Sequence, residues 1–78
     1  MQSVKISLNS IDKVKSFVNT ISQFDYDFDL LSGRYVIDAK SIMGIFSLDL
    51  ANPIELNIHG GSSEDYSDVL EALKPYLI

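Results

Sequence analysis

The sequence predicts an α+β domain in which one four-stranded antiparallel sheet is covered on one face by helices, in the order β-α-β-β-α-β-α. Four short segments alternate apolar and polar residues, which is the pattern of strands with one buried face. Three further segments repeat apolar residues every three or four positions, as amphipathic helices do. A two-layer arrangement buries both sets of apolar side chains with the fewest assumptions.

The first strand is predicted over residues 4–8, where every second residue is apolar. Asn9 or Ser10 then caps a helix, and Asp12 lies near its positive end. The stripe that should face the sheet consists of Ile11, Val14, Phe17, Val18, Ile21 and Phe24.

A hairpin and a short helix follow. Residues 26–30 and 35–39 alternate around a turn at Ser32 and Gly33. Their inward residues should be Tyr26, Phe28, Leu30, Tyr35, Ile37 and Ala39. Ser41 begins the helix, and Pro53 stops it together with Asn52.

The fourth strand is predicted over residues 54–59, again from alternation. The glycines at 60–61 break the chain, a serine at 62–63 caps a last helix, and Pro75 ends that helix near Lys74. Its apolar stripe consists of Tyr66, Val69, Leu70 and Leu73.

Composition limits the possible functions. The 78 residues form a single domain, residues 1–78, without a repeat or linker. The absence of cysteine excludes disulfides, thiolate metal sites and a cysteine nucleophile. A net charge of −5 disfavours direct binding to nucleic acid. No apolar run reaches the roughly 18 residues of a membrane span, so we expect a cytoplasmic protein with no membrane association, while the oligomeric state stays open.

Residues 40–50 read Lys-Ser-Ile-Met-Gly-Ile-Phe-Ser-Leu-Asp-Leu. This run resembles the regulatory-serine segment of HPr, the histidine-containing phosphocarrier protein of the bacterial sugar phosphotransferase system. The likeness covers nearly the whole chain, with weaker support from the hairpin and from residues 69–73. It implies an HPr-like open-faced sandwich with the strand order 1-4-2-3.

The resemblance implies roles for four residues of this run. In the family, the serine that matches Ser41 is phosphorylated by an ATP-dependent kinase, and residues that match Ile42, Met43 and Phe46 meet partner proteins. Ser41 is therefore either a helix cap alone or also a regulatory phosphorylation site. The three apolar residues belong either to the core or to a partner-binding patch.

The family's catalytic loop reads Gly-Ile/Leu-His-Ala-Arg-Pro-Ala. Counting back from Ser41 at the family spacing places Ser10 at the histidine, Asp12 at the arginine and Lys13 at the proline. Phosphohistidine chemistry needs an imidazole, helix N–H groups and a cation beside the phosphate. This degenerate loop lacks the imidazole and the arginine, so we predict no catalytic residue here.

One strand face is rich in carboxylates. Asp25, Asp27 and Asp29 alternate along the second strand, and the implied strand order brings them near the fourth strand, with Glu55, Asn57 and His59 on its polar side. A hard-cation site is conceivable, but a solvated sheet face is the ordinary explanation, so we predict neither a metal nor a cofactor. His59, the single histidine, is expected to be partly solvated.

Two functional hypotheses remain. In the first, the chain is an HPr-family protein that cannot relay phosphate and serves as a protein-binding or regulatory module in carbohydrate uptake and carbon catabolite control, through Ser41. Its partners would be proteins: a serine kinase/phosphatase, and a transcriptional regulator or phosphotransferase-system enzymes. In the second, it is a true phosphocarrier of the phosphoenolpyruvate-dependent system, for which His59 is the only candidate carrier. Neither hypothesis makes it an enzyme.

Overall fold

The computed structural model describes residues 2–60 and 66–78. The elements are β1 (Gln2–Ile6), α1 (Ile11–Ile21), β2 (Asp27–Ser32), β3 (Tyr35–Asp38), α2 (Ile42–Phe46), β4 (Ile54–His59) and α3 (Ser67–Ala72), followed by a 3-10 turn at Lys74–Tyr76. The serine cap predicted at residues 62–63 lies outside the described residues, as does the second glycine of the predicted chain break.

The four strands form one antiparallel sheet in the order β1-β4-β2-β3. This confirms the predicted α+β class and the strand order that the resemblance implied. β4 lies between β1 and β2, so that Glu55 has Lys5 as its neighbour on one side and Leu31 on the other. The polar sides of the central strands therefore share one open face.

The core lies between the other face of the sheet and the helices. In β4 the residues Ile54, Leu56 and Ile58 are buried, while the residues between them are half-buried on the opposite face. The ring of Phe17 meets that of Tyr76 edge-on at 5.7 Å between centroids. The buried apolar residues are Ile6, Leu8, Val14, Phe17, Ile21, Phe28, Leu30, Ala39, Ile45, Ile54, Leu56, Ile58, Tyr66, Val69, Leu73 and Tyr76.

β1 ends two residues earlier than predicted because the chain changes partners there. Beyond Ile6, the Ser7 N–H donates to the Tyr76 carbonyl at 2.8 Å, so the backbone pairs with the C-terminal segment. Leu8 remains fully buried, although it lies outside the strand. The strand has the predicted five residues but lies two residues earlier in the chain, so the alternation indicated the buried side correctly and the position of the strand wrongly.

Two residues assigned to buried stripes are exposed. Ile11, in the first turn of α1, is 62% exposed, and Tyr35, at the start of β3, is 71% exposed. Both lie at the ends of their elements, where the periodic pattern continues but the facing layer does not. Phe24 lies beyond the end of α1, where its ring stacks on that of Tyr26 at 6.2 Å.

The hairpin turn lies one residue later than predicted. Ser32 is the last residue of β2 and pairs with Tyr35, leaving Gly33 and Arg34 as a two-residue loop. Gly33 has a φ of +60°, a conformation that costs glycine less than any other residue.

The two C-terminal helices are shorter than predicted. α2 has five residues and ends at Phe46, well before Pro53, and the Ser47 hydroxyl donates to the Gly44 carbonyl at 2.6 Å. α3 ends at Ala72, and Pro75 lies within the 3-10 turn that follows. No helix among the described residues is long and apolar enough to cross a membrane.

Candidate functional site

The start of α1 is where the resemblance places the phosphate-accepting loop. Ser10 occupies the N-cap position in extended conformation, and its Oγ accepts a hydrogen bond from the Lys13 backbone N at 3.2 Å. The Val14 N–H bonds to the Ser10 carbonyl at 3.1 Å. Of the two predicted caps, Asn9 and Ser10, the structure has Ser10, and its hydroxyl is already used to satisfy a free N–H group of the helix.

Asp12 and Lys13 place one acidic and one basic side chain at this end of the helix. Asp12 is exposed in the first turn, and Lys13 is half-buried. Together with Ser16, Pro75 and Tyr76 they line an open groove of about 260 Å³. The carboxylate of Asp12 complements the positive end of the helix and repels an anion that approaches it.

The second region of interest is the start of α2. Ser41 occupies its N-cap position, but its hydroxyl makes no capping hydrogen bond with any described residue. The sequence-based expectation of a side-chain cap is therefore wrong for Ser41. Its backbone still takes part in the turn, because its carbonyl accepts from Ile45 N at 3.1 Å and its N–H donates to the Asp38 carbonyl at 3.0 Å. Ser41 as a whole is an exposed residue.

Lys40 precedes Ser41 but is directed elsewhere. Its Nζ donates to the Phe24 carbonyl at 3.0 Å and lies 5.5 Å from the centre of the Phe28 ring. A carbonyl hydrogen bond and a cation–π contact together hold the ammonium group near the beginning of β2. A charge placed on the Ser41 hydroxyl would have to compete for this lysine.

Three apolar residues of α2 form what we call the apolar patch: Ile42, Met43 and Phe46. Met43 is 77% exposed and Phe46 is 39% exposed, while Ile42 is half-buried against the core. Ile45 alone in the helix is fully buried. The helix thus uses one isoleucine as its main anchor and leaves its largest side chains in contact with solvent.

The apolar periodicity placed Ile11 in the buried stripe of α1, but Ile11 is a surface residue. It is exposed at the start of α1, and α1 packs against α2. The available signal was its position: Ile11 lies between Ser10 and Asp12 in the first turn, where a helix often extends past the layer that it covers. An exposed isoleucine beside the N-cap gives this end of α1 an apolar element that the sequence analysis assigned to the core.

The single histidine lies on the open face of the sheet. His59 Nε2 is 2.7 Å from Asp29 Oδ2, and in the sheet register His59 faces Asp27, while Asp29 faces Asn57. The Asn57 side chain accepts a hydrogen bond from Ser3 Oγ at 2.5 Å. The open face thus carries two separate polar pairs, and among residues 2–60 and 66–78 no three or more histidine, cysteine or carboxylate side chains are placed to hold a metal ion.

A larger groove, of about 500 Å³, lies at the opposite end of the open face, away from both α1 and the histidine. Lys5 and Glu55 line it, as do the β2–β3 turn and the loop before β4. This groove is wide open and mixes both charges with apolar surface, so its chemistry does not select a ligand class. The residues at the starts of α1 and α2 therefore remain the candidate site.

The chain was compared with protein families and solved structures. The model of the family described as "PTS HPr component phosphorylation site" matches residues 13–77. HPr-C-His from Thermoanaerobacter tengcongensis shares 28% sequence identity and a TM-score of 0.76, with 94% of this chain and 86% of that chain covered. The phosphocarrier protein HPr from Bacillus anthracis strain Ames shares 30% identity and a TM-score of 0.71, with coverage of 99% and 94%.

The family match begins three residues after Ser10 and includes all of α2. The match therefore includes the serine segment and stops short of the position at which the resemblance places the histidine. Its length, together with the two structural similarities, shows that this chain belongs to the HPr family of the phosphotransferase system.

Proposed function

We propose that this HPr-family protein does not relay phosphate through a histidine at α1, and that it acts as a protein-binding and regulatory module linked to carbohydrate uptake and carbon catabolite control. The observation that supports this most directly is at the start of α1. Ser10 stands where the resemblance places the histidine, and its hydroxyl caps the helix. Asp12 stands where it places the arginine.

The chemistry of a serine ester supports the same conclusion. A phosphate on Ser10 would be an ordinary ester, whose transfer potential is too low to pass on to a sugar-transport domain. It would also displace the bond to Lys13 N and face the Asp12 carboxylate. The start of α1 can therefore contact a partner protein, but it is unsuited to phosphate transfer.

The regulatory element of the proposal is Ser41. Ser41 is an exposed residue and its hydroxyl makes no capping bond to a described residue, so phosphorylation would not break a helix cap. The apolar patch adjoins it, with Met43 largely exposed. Phosphorylation would add about 1.5 to 2 negative charges beside this patch, which favours a basic partner surface over an apolar or acidic one.

The partners that this proposal implies are a serine kinase and phosphatase, and a transcriptional regulator or enzymes of the phosphotransferase system, all acting in the cytoplasm where ATP is available. The net charge of −5 is compatible with a basic protein surface. We do not assign the chain a catalytic activity.

The test is incubation with ATP and the bifunctional kinase that phosphorylates HPr on serine. We expect a mass increase of one phosphate that disappears in Ser41→Ala. Ser47→Ala is the matched control, because Ser47 lies at the other end of the same helix with its hydroxyl bonded to the Gly44 carbonyl. An unmodified wild-type protein, or a phosphate that persists in Ser41→Ala, contradicts the regulatory proposal.

The second candidate function is phosphate transfer, and the similarity to a phosphocarrier over nearly the whole chain favours it. It predicts an acid-labile, base-stable phosphohistidine after treatment with phosphoenolpyruvate and the general phosphotransferase enzyme. His59 is the only histidine that could carry it. We expect no label, because His59 is on the open sheet face and is bonded to a carboxylate; a label that is lost in His59→Ala would establish transfer and overturn our proposal.

A further inference from the structure

The two edge strands of the sheet differ in how their outer edges are covered. Beside β1, the C-terminal segment pairs with the chain: the Ile78 N–H donates to the Lys5 carbonyl at 3.3 Å, and Ile6 forms a β-bridge with Leu77. Beside β3, no other segment of residues 2–60 and 66–78 pairs with the outer edge. An edge with unpaired N–H and C=O groups is a template for a further strand.

β3 also carries little of the protection that is usual at an edge. It reads Tyr-Val-Ile-Asp, with neither lysine nor proline and a single charge at its last residue, and its first three residues are strong strand formers. Tyr35 is 71% exposed and Val36 is 64% exposed. Two large side chains on opposite faces of the strand are therefore uncovered at the same place.

The existing hydrogen bonds show which backbone groups point outward. The Ala39 N–H donates to the Phe28 carbonyl at 2.9 Å, so the groups of Ala39 point toward β2. Since direction alternates along a strand, the N–H groups of Val36 and Asp38 point away from β2, and so do the carbonyls of Arg34 and Val36. A strand that pairs with β3 must meet these groups.

We propose that β3 pairs in an antiparallel sense with β3 of a second copy of this chain, with Val36 opposite Val36 of the second copy. This register joins the outward N–H of Val36 to its own counterpart's carbonyl, and the N–H of Asp38 to the Arg34 carbonyl of the second copy. Each bond occurs twice by symmetry. The result is one continuous sheet of eight strands with both helical layers on the same side.

The side chains select this register over its neighbours. Arg34 lies opposite Asp38 of the second copy on both sides of the axis, and Tyr35 lies opposite Ile37, so each pair is attractive. A shift of two residues in one direction would place Arg34 opposite Lys40, a like charge. A shift of two residues in the other direction would place Asp38 beyond the hairpin turn, opposite Ser32 of the second copy, so that it would face no residue of β3.

The strand is short, and this determines the strength of the association. β3 has four residues, so the pairing buries less than the roughly 1,200 Å² of a standard interface. Each copy also carries a net charge of −5, which opposes association at low ionic strength. The dimer should therefore form reversibly at high protein concentration, and is best measured near about 0.15 M salt, where the Debye length is short.

Charge reversal tests the register. Arg34→Asp and Asp38→Arg each turn both cross-strand pairs into like-charge pairs, so each variant alone should associate roughly tenfold more weakly or worse in sedimentation velocity. In an equimolar mixture both pairs are again attractive, so the mixture should associate as wild type does. Circular dichroism checks that Asp38→Arg folds, because Asp38 Oδ1 also accepts from Lys40 N at 2.9 Å.

Matched controls carry the same charge changes away from β3. Lys15→Asp and Asp25→Arg change the charge of exposed residues by the same amounts as Arg34→Asp and Asp38→Arg, and should alter association far less, because only the net charge changes. The chain has no cysteine, so Val36→Cys supplies a clean second probe: it should form a symmetric disulfide faster than the exposed Lys15→Cys does. A wild-type chain that stays monomeric at the highest concentration, or reversals whose mixture does not regain association, overturns the proposal.

Discussion

His59 Nε2 and Asp29 Oδ2 lie 2.7 Å apart on the open face of the sheet, although the two residues are thirty positions apart in the chain. β4 and β2 bring them together, on the side of the sheet that the helices do not cover. The histidine is thus held by a carboxylate, and among the described residues neither an arginine nor a helix terminus hydrogen-bonds to it. Its surroundings differ from those that phosphohistidine chemistry requires at a helix start.

The His59–Asp29 pair should contribute little to stability. The two side chains are 41% and 37% exposed, so solvent screens their interaction, and a double-mutant cycle of His59→Ala and Asp29→Ala should give a coupling of up to about 1 kcal/mol in urea unfolding. The Lys74–Glu71 pair, more exposed and one helical turn apart, is the control and should give less. A coupling well above that of a surface pair would show that the open face holds a stronger polar network than the geometry indicates.

The two helix-start serines should respond differently to truncation. Ser10→Ala removes the acceptor of the Lys13 N–H and should lower the free energy of unfolding by about 1 kcal/mol. Ser41→Ala removes no capping bond to a described residue and should change the free energy by only a few tenths of a kcal/mol. Urea titration of both variants measures the difference, and equal losses would mean that Ser41 also caps its helix in solution.

Truncation of two apolar residues of α1, Phe17 and Ile11, should lower the free energy of unfolding by very different amounts. Phe17 is fully buried with its ring against Tyr76, so Phe17→Ala should lose about 3 to 5 kcal/mol and leave this small domain close to unfolding. Ile11 is mostly exposed, so Ile11→Ala should be nearly neutral. Thermal melts separate the two. A large loss for Ile11→Ala would restore the residue to the core stripe that the periodicity predicted.

Lys40 should be a stabilising residue in its own right. Lys40→Met keeps the aliphatic chain but removes the bond to the Phe24 carbonyl and the charge beside the Phe28 ring, and should lower the free energy of unfolding by about 1 to 2 kcal/mol. Lys15→Met, at an exposed position of α1, is the control and should have little effect. If the two variants lose the same free energy of unfolding, the Lys40 contacts do not stabilise the domain in solution.

Phosphorylation of Ser41 should leave the fold intact. The new charge is exposed at the start of a five-residue helix, so the free energy of unfolding should change by no more than about 1 kcal/mol in either direction. Amide resonance maps of the two forms should differ near α2 and at Lys40, which precedes Ser41 in the chain. Changes that spread across the sheet, or a large fall in melting temperature, would show that the phosphate remodels the domain.

The element types could be predicted from the sequence because they depend on neighbours a few residues apart. Alternation marked β4 with its buried Ile54, Leu56 and Ile58, and a three- and four-residue repeat marked α1. The cap of α1 was predicted as Asn9 or Ser10, and it is Ser10; the prediction was possible because the bond from Lys13 N is local. The serine segment of residues 40–50 likewise indicated the family, which the comparisons then confirmed.

Tertiary structure alone decided what depends on segments distant in the chain. Ile11 and Tyr35 continue apolar patterns but are exposed, because the layer that would cover them ends first. The Ser41 hydroxyl is free of a cap although Ser10, the same residue type at the same helix position, is bonded. His59 meets Asp29 only because β4 lies beside β2. Periodicity records which side of an element is apolar; the position and extent of the neighbouring layer determine which of those residues are buried.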